Sequence, residues 1–139
     1  MAEIESGMTP RARPLSPHLG IYKPMLTMVM SIVHRITGAA LYFGMALLAW
    51  WLIAVASGPN ADTDFEAFAG STIGRIILFG YTWALMHHML GGIRHLIWDT
   101  LRGFEPPERE LLAVTTIVGS VALTILLWVI AYFAMGDLR

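Results

Sequence analysis

The sequence predicts an all-α integral membrane protein with three transmembrane helices, and two observations support this fold class. Hydrophobic residues make up 56% of the 139-residue chain and charged residues only 14%, whereas a soluble domain carries about 25% charge. Three apolar stretches also each exceed the roughly 20 residues that a helix needs to cross a bilayer. Much of the outer surface is therefore expected to face lipid.

The first apolar stretch, residues 25–56, is predicted to form the first transmembrane helix. His34 and Arg35 are its only strongly polar residues. Residues 1–24 form a polar, proline-containing segment before it, and the apolar run is too long for the core of a signal peptide. We expect residues 1–24 to stay on the side of the membrane where they are made, and residues 25–139 to form the membrane anchor.

The second stretch, residues 71–98, carries five basic or imidazole side chains, which are Arg75, His87, His88, Arg94 and His95. At 1.5 Å per residue, about 28 Å separates Arg75 from Arg94, which is close to the hydrocarbon thickness of a bilayer. These two arginines are therefore predicted to mark the two membrane boundaries of the second helix.

The third stretch, residues 111–135, contains Tyr132 as its only ionisable side chain. The connection before it, residues 102–110, contains Gly103, Pro106 and Pro107. Proline cannot continue a helix, so this segment is predicted to be a non-helical connection. The connection between the first two helices is acidic, and a short interfacial turn is expected around its aromatic residues Phe65 and Phe68.

The basic residues outside the apolar stretches predict the orientation of the chain. The N-terminal segment and the second connection contain Arg11, Arg13, Lys23, Arg102 and Arg109, whereas the first connection is acidic. The N-terminus and the second connection are therefore expected to lie in the cytoplasm.

Composition also excludes several functions. The net charge of −1 argues against nucleic-acid binding, which needs a basic face. The chain contains no cysteine, which excludes disulfides, cysteine-ligated iron–sulfur clusters and thiol catalysis. Any metal ligand would have to be a histidine, a methionine or a carboxylate.

Four polar side chains of the first two helices are predicted to lie in one leaflet. Because these helices are antiparallel and the first enters from the cytoplasm, His34 and Arg35 should lie at a depth similar to that of Arg94 and His95. Such groups are costly in a membrane and are usually functional or paired.

The second helix places a histidine beside glycines. His88, Gly91, Gly92 and His95 follow the spacing i, i+3, i+4 and i+7, so they share one face. The two glycines are expected to clear a flat space beside the imidazole, as a porphyrin requires. His87 points about 100° away from His88, and the choice between them as a ligand is open, although only His88 shares the glycine face.

The first helix repeats this spacing with Ser31, His34, Arg35 and Gly38. Its imidazole and guanidinium could bind the anionic propionates of a haem, which need cations. Its hydroxyl and guanidinium could bind a quinone carbonyl, which needs hydrogen-bond donors.

Simpler readings remain open for each of these residues. An intramembrane histidine is often only a hydrogen-bond partner for a neighbouring helix, the arginines can extend to the interface, and a glycine pair can serve packing alone. The co-location of these groups in one leaflet is what favours a binding site.

Three segments resemble the cytochrome b subunits of succinate dehydrogenase. Residues 13–22 (RPLSPHLGIY) resemble the N-terminal segment of that family, residues 31–38 (SIVHRITG) its first-helix motif, and residues 88–99 (HMLGGIRHLIWD) its second-helix motif. They occur in the family's order, so the resemblance covers essentially the whole chain.

The resemblance implies a role for each site residue. His88 occupies the position of the axial ligand of haem b, with His34, Arg35 and His95 around the propionates. Ser31, Ile32 and Arg35 match the ubiquinone-site positions.

The resemblance also implies partners and a location. One haem b would be shared with a second hydrophobic anchor subunit that supplies the other ligand, so that the two chains form a heterodimeric helical bundle. A flavoprotein and an iron–sulfur subunit would complete the complex in the bacterial inner membrane. The flavoprotein, not this chain, would oxidise succinate, and ubiquinone would receive the electrons. The open alternatives are the anchor of a fumarate reductase and a haem-free membrane scaffold.

Overall fold

A computed structural model describes residues 20–137, which form four helices: α1 (Leu26–Ser57), α2 (Pro59–Gly70), α3 (Thr72–Asp99) and α4 (Pro106–Asp137). Within this range there is no β-strand. Helices α1, α3 and α4 are each long and apolar enough to cross a membrane. The predicted all-α class with three spans is therefore confirmed, while most of the predicted N-terminal segment 1–24 lies outside the described residues.

Most large apolar side chains of α1 point away from the other helices. Ile36 and Phe43, for example, are 62% and 75% exposed, whereas Met30 and Thr37 are buried. Soluble monomers rarely expose apolar surface on this scale. This surface therefore needs lipid or another protein chain around it.

The connection between α1 and α3 is itself a helix. Gly58 ends α1 with a φ of 100°, and Pro59 begins α2 at a position where the missing N–H of proline has no cost. The predicted short turn around Phe65 and Phe68 is thus a full 12-residue helix, whose two phenyl rings each lie 5.2 Å from the ring of Trp50.

Helix α4 begins at Pro106, five residues before the predicted start at Leu111, so residues 106–110 of the predicted connection are helical. Pro106 and Pro107 occupy the first turn of the helix. Backbone N–H groups there have no intrahelical acceptor, so the N–H that proline lacks is not missed. The loop before α4 contains Gly103 at a φ of 80°, and its carbonyl accepts a hydrogen bond from Trp98 Nε1 at 3.0 Å.

Helix α3 packs between α1 and α4 and also contacts α2. Its contact with α4 includes small and polar residues of α4: Ser120 lies 3.3 Å from His87, Gly119 lies against Leu90, and Ala113, Ser120 and Thr124 are buried. Small residues let membrane helices approach closely and pack by van der Waals contact. Two faces of α3 are therefore occupied. His88 lies on the face that contacts α1, and His87 lies on the face that contacts α4.

Candidate functional site

The imidazoles of His34 on α1 and His88 on α3 are stacked at the contact between the two helices. Their ring centroids lie 4.0 Å apart and their planes differ by 5°. The ring of His95, which lies about two turns after His88 on α3, is 5.3 Å from the ring of His34. The structure thus brings three of the predicted site histidines together.

Each stacked histidine lies over a glycine of the opposite helix. A Cβ added to Gly38 would meet Cε1 of His88 at 3.0 Å, and a Cβ added to Gly91 would collide with Nδ1 of His34. The interpretation that Gly91 leaves open space beside His88 is therefore wrong, because His34 fills that space. Gly92 has no neighbouring atom within 4 Å of its added Cβ and is the glycine that leaves space free.

Hydrogen bonds from Nδ1 orient the His88 ring. Nδ1 lies 3.1 Å from the backbone carbonyl oxygen of His34 and 3.3 Å from Oγ1 of Thr37. A carbonyl oxygen only accepts hydrogen bonds, so Nδ1 carries the proton and donates it. In the neutral ring Nε2 then keeps a lone pair, and Nε2 has no hydrogen-bond partner among residues 20–137.

His87 lies in a different environment, at the contact between α3 and α4. Its side chain is 2% exposed, its Nδ1 lies 3.3 Å from Oγ of Ser120, and its Nε2 is buried without a partner in the described range. A large planar group cannot reach this nitrogen unless α3 and α4 separate. The geometry therefore favours His88 over His87 as the residue open to an external ligand.

Arg35 and Arg94, the two arginines predicted to lie in one leaflet, differ in burial. Arg94 is 3% exposed, and its guanidinium carbon lies 5.1 Å from the ring centroid of Trp98. Arg94 therefore packs inside the bundle and does not extend along its surface. Arg35 is exposed on α1, so it is the arginine available to a ligand or another subunit.

The polar residues that share the predicted spacing on α1 do not all face the same way. His34 and Gly38 face α3, whereas Ser31 and Arg35 are exposed and Ile32 is 55% exposed. The predicted quinone-site residues thus form an outward surface of α1, beside the histidine contact but not within it.

Sequence reasoning missed Thr37, which is 1% exposed and contacts His88. A signal was present, because Met30, His34 and Thr37 follow the spacing of a helix face that packs on a neighbour. A threonine is so common in membrane helices that it did not stand out on its own.

Within residues 20–137 no three histidine, carboxylate or cysteine side chains converge on one point to hold a bare metal ion. Nε2 of His88 makes no hydrogen bond within the described range and is therefore available as one metal ligand.

Comparison with known proteins identifies the family. Residues 9–127 match the family described as succinate dehydrogenase/fumarate reductase transmembrane subunit. The chain belongs to this family. Its three long apolar helices are accordingly the transmembrane helices of such a subunit, and the resemblance noted in the sequence is confirmed.

Relatives of this transmembrane subunit are named as cytochrome b subunits of succinate dehydrogenase. The b556 subunit of Rickettsia felis is 42% identical over 117 residues, which cover 84% of this chain and 91% of the relative. The b556 subunit of Paracoccus denitrificans is 39% identical over 132 residues, which cover 95% and 98%. The mitochondrial b560 subunit of Sus scrofa is 38% identical over 119 residues, which cover 80% and 69%. These relatives are subunits of an oxidoreductase complex.

Proposed function

We propose that this chain is the membrane-anchoring cytochrome b subunit of a succinate dehydrogenase, in which it helps to bind one haem b and ubiquinone. The observation that carries this proposal is the His88 imidazole, whose Nδ1 is held by α1 while its Nε2 makes no hydrogen bond within residues 20–137. The family match and the names of the relatives support the same function.

The residues around His88 fit a haem. A metal binds imidazole nitrogen in the plane of the ring, whereas His34 covers only the face of that ring. Gly92, one turn from His88, leaves room for a flat group. Haem b, when bound, accepts and releases one electron, and its second axial ligand would come from the companion anchor subunit. His34, Arg35 and His95 would surround the propionates.

The exposed face of α1 fits a quinone. Ser31 and Arg35 offer a hydroxyl and a guanidinium that donate hydrogen bonds to a carbonyl oxygen, and Ile32 provides apolar contact for the quinone ring. Protonation of a reduced quinone requires water, and a site beside cationic groups near the membrane boundary has access to it. In this arrangement Arg35 orients the quinone and stabilises negative charge on its oxygen.

The family match and the names of the relatives support partners in a larger complex. Within it, electrons from succinate would reach the quinone through a flavoprotein and an iron–sulfur subunit. The extensive apolar surface of α1 and α4 fits lipid and a second hydrophobic anchor subunit. Residues 1–24 and the loop before α4 would lie in the cytoplasm, with the chain spanning the bacterial inner membrane three times.

The test is a reduced-minus-oxidised spectrum of the purified complex, with haem quantified per complex. We expect a b-type band in the wild type, its loss in His88→Ala and its retention in His87→Ala. A wild-type complex without a b-type band would contradict the haem assignment. A band that survives His88→Ala and disappears in His87→Ala would transfer the ligand to the other histidine.

A further inference from the structure

We infer that Thr37 is a positioning residue for the proposed haem ligand, because its hydroxyl and the His34 carbonyl together hold Nδ1 of His88 and leave Nε2 free to bind iron. This inference rests on the proposed haem function. It concerns a residue outside the predicted site, and its basis is a set of contacts between α1 and α3.

The Thr37 hydroxyl has a defined hydrogen-bond direction. Oγ1 donates to the backbone carbonyl oxygen of His34 at 2.9 Å, so its hydrogen is already used. Its lone pairs remain for the Nδ1 proton of His88, 3.3 Å away. Because Thr37 is 1% exposed, no solvent competes for this contact.

These contacts select one tautomer and one ring orientation. If the proton were on Nε2, the Nδ1 lone pair would face the His34 carbonyl oxygen, which cannot donate a hydrogen bond and would repel it. A half-turn of the ring about its bond to Cβ would likewise replace Nδ1 with a carbon atom and lose both hydrogen bonds. The α1 helix therefore presents the Nε2 lone pair in the form that iron binds.

The same contacts affect the electronic properties of the ligand. A hydrogen bond from the distal nitrogen makes an imidazole a stronger donor to its metal. A stronger donor stabilises the oxidised iron, so loss of the Thr37 oxygen should shift the haem midpoint potential in the positive direction. The His34 carbonyl remains in such a variant, and haem binding should therefore be weakened but retained.

The experiment compares Thr37→Val, which keeps the shape without the hydroxyl, with Thr37→Ser, which keeps the hydroxyl. An exposed threonine of α4 provides the control Thr115→Val. Haem content, midpoint potential and the electron paramagnetic resonance spectrum of the oxidised haem are measured on the whole complex. We expect a positive potential shift and altered resonance positions in Thr37→Val, and wild-type values in Thr37→Ser and Thr115→Val.

Wild-type values in Thr37→Val, or the same shift in Thr37→Ser, would overturn the positioning role while the haem function stands. If Thr37→Val does not assemble, Thr37→Ser decides, because it must then keep the wild-type potential although it lacks the methyl group. A wild-type complex without haem would instead overturn the proposed function, and this inference with it.

Discussion

The His34 and His88 imidazoles lie ring on ring, with centroids 4.0 Å apart and planes within 5° of parallel. Each ring also occupies the space above a glycine of the opposite helix, Gly38 for His88 and Gly91 for His34. The two imidazoles therefore contribute to the register of α1 against α3. The direction of the proposed haem ligand is in this way set by a neighbouring helix as well as by its own.

Gly91→Ala should destabilise the contact between α1 and α3, because the new methyl group collides with Nδ1 of His34. Overpacking of this kind costs about 1–3 kcal/mol. The measurement is the thermal unfolding midpoint of the purified complex. Gly80→Ala on the same helix is the matched control, since its Cβ meets no atom of the described chain within 4 Å. Equal unfolding midpoints for the two variants would contradict the close contact between the His34 ring and Gly91.

Ser120→Ala should destabilise the protein without removing haem. It takes away the oxygen 3.3 Å from Nδ1 of His87 and leaves a buried imidazole with neither nitrogen paired, a loss of about 1–3 kcal/mol. Thr115→Ala, at an exposed position of the same helix, should change stability little. Thermal unfolding and haem content are measured together. Haem loss in Ser120→Ala with unchanged stability would argue that His87 has a role in the haem site.

Arg35→Ala should impair quinone reduction while succinate oxidation with a soluble electron acceptor continues. The guanidinium is exposed on α1 beside Ser31, and a hydrogen bond to a charged group contributes about 1.5–3 kcal/mol, or roughly ten- to a hundredfold in rate. The two activities of the assembled complex are assayed side by side. Arg102→Ala, an exposed arginine of the loop before α4, is the control. Equal loss of both activities in an intact complex would contradict the quinone role.

The predicted orientation is directly testable because the chain contains no cysteine. Single cysteines are introduced as Asp64→Cys in α2 and Glu105→Cys in the loop before α4, both at exposed positions. In intact cells with a permeable outer membrane, a membrane-impermeant thiol reagent should label only the α2 position. The loop position should react after the inner membrane is opened. The reverse pattern would place the N-terminus outside the cytoplasm.

The sequence alone determined the class of the protein, its three spans and its family. Apolar length is a property of consecutive residues, so residues 25–56 predict a spanning helix without knowledge of any neighbour, and the structure has this helix at Leu26–Ser57. The motifs around His34 and His88 are likewise local, and the family match bears out the resemblance that they carry. The start of α4 was missed because proline breaks a helix in its interior but is favoured in its first turn, and Pro106 and Pro107 lie in the first turn.

Only the tertiary structure decided what each polar side chain faces. Helical periodicity shows that His87 and His88 point in different directions, but the packing of α3 between α1 and α4 assigns one to Ser120 and the other to Thr37. It also assigns Gly91 to His34 and leaves Gly92 open. The physical reason is that a residue's face depends on its own helix, whereas its neighbours depend on the register and crossing of helices that are distant in sequence.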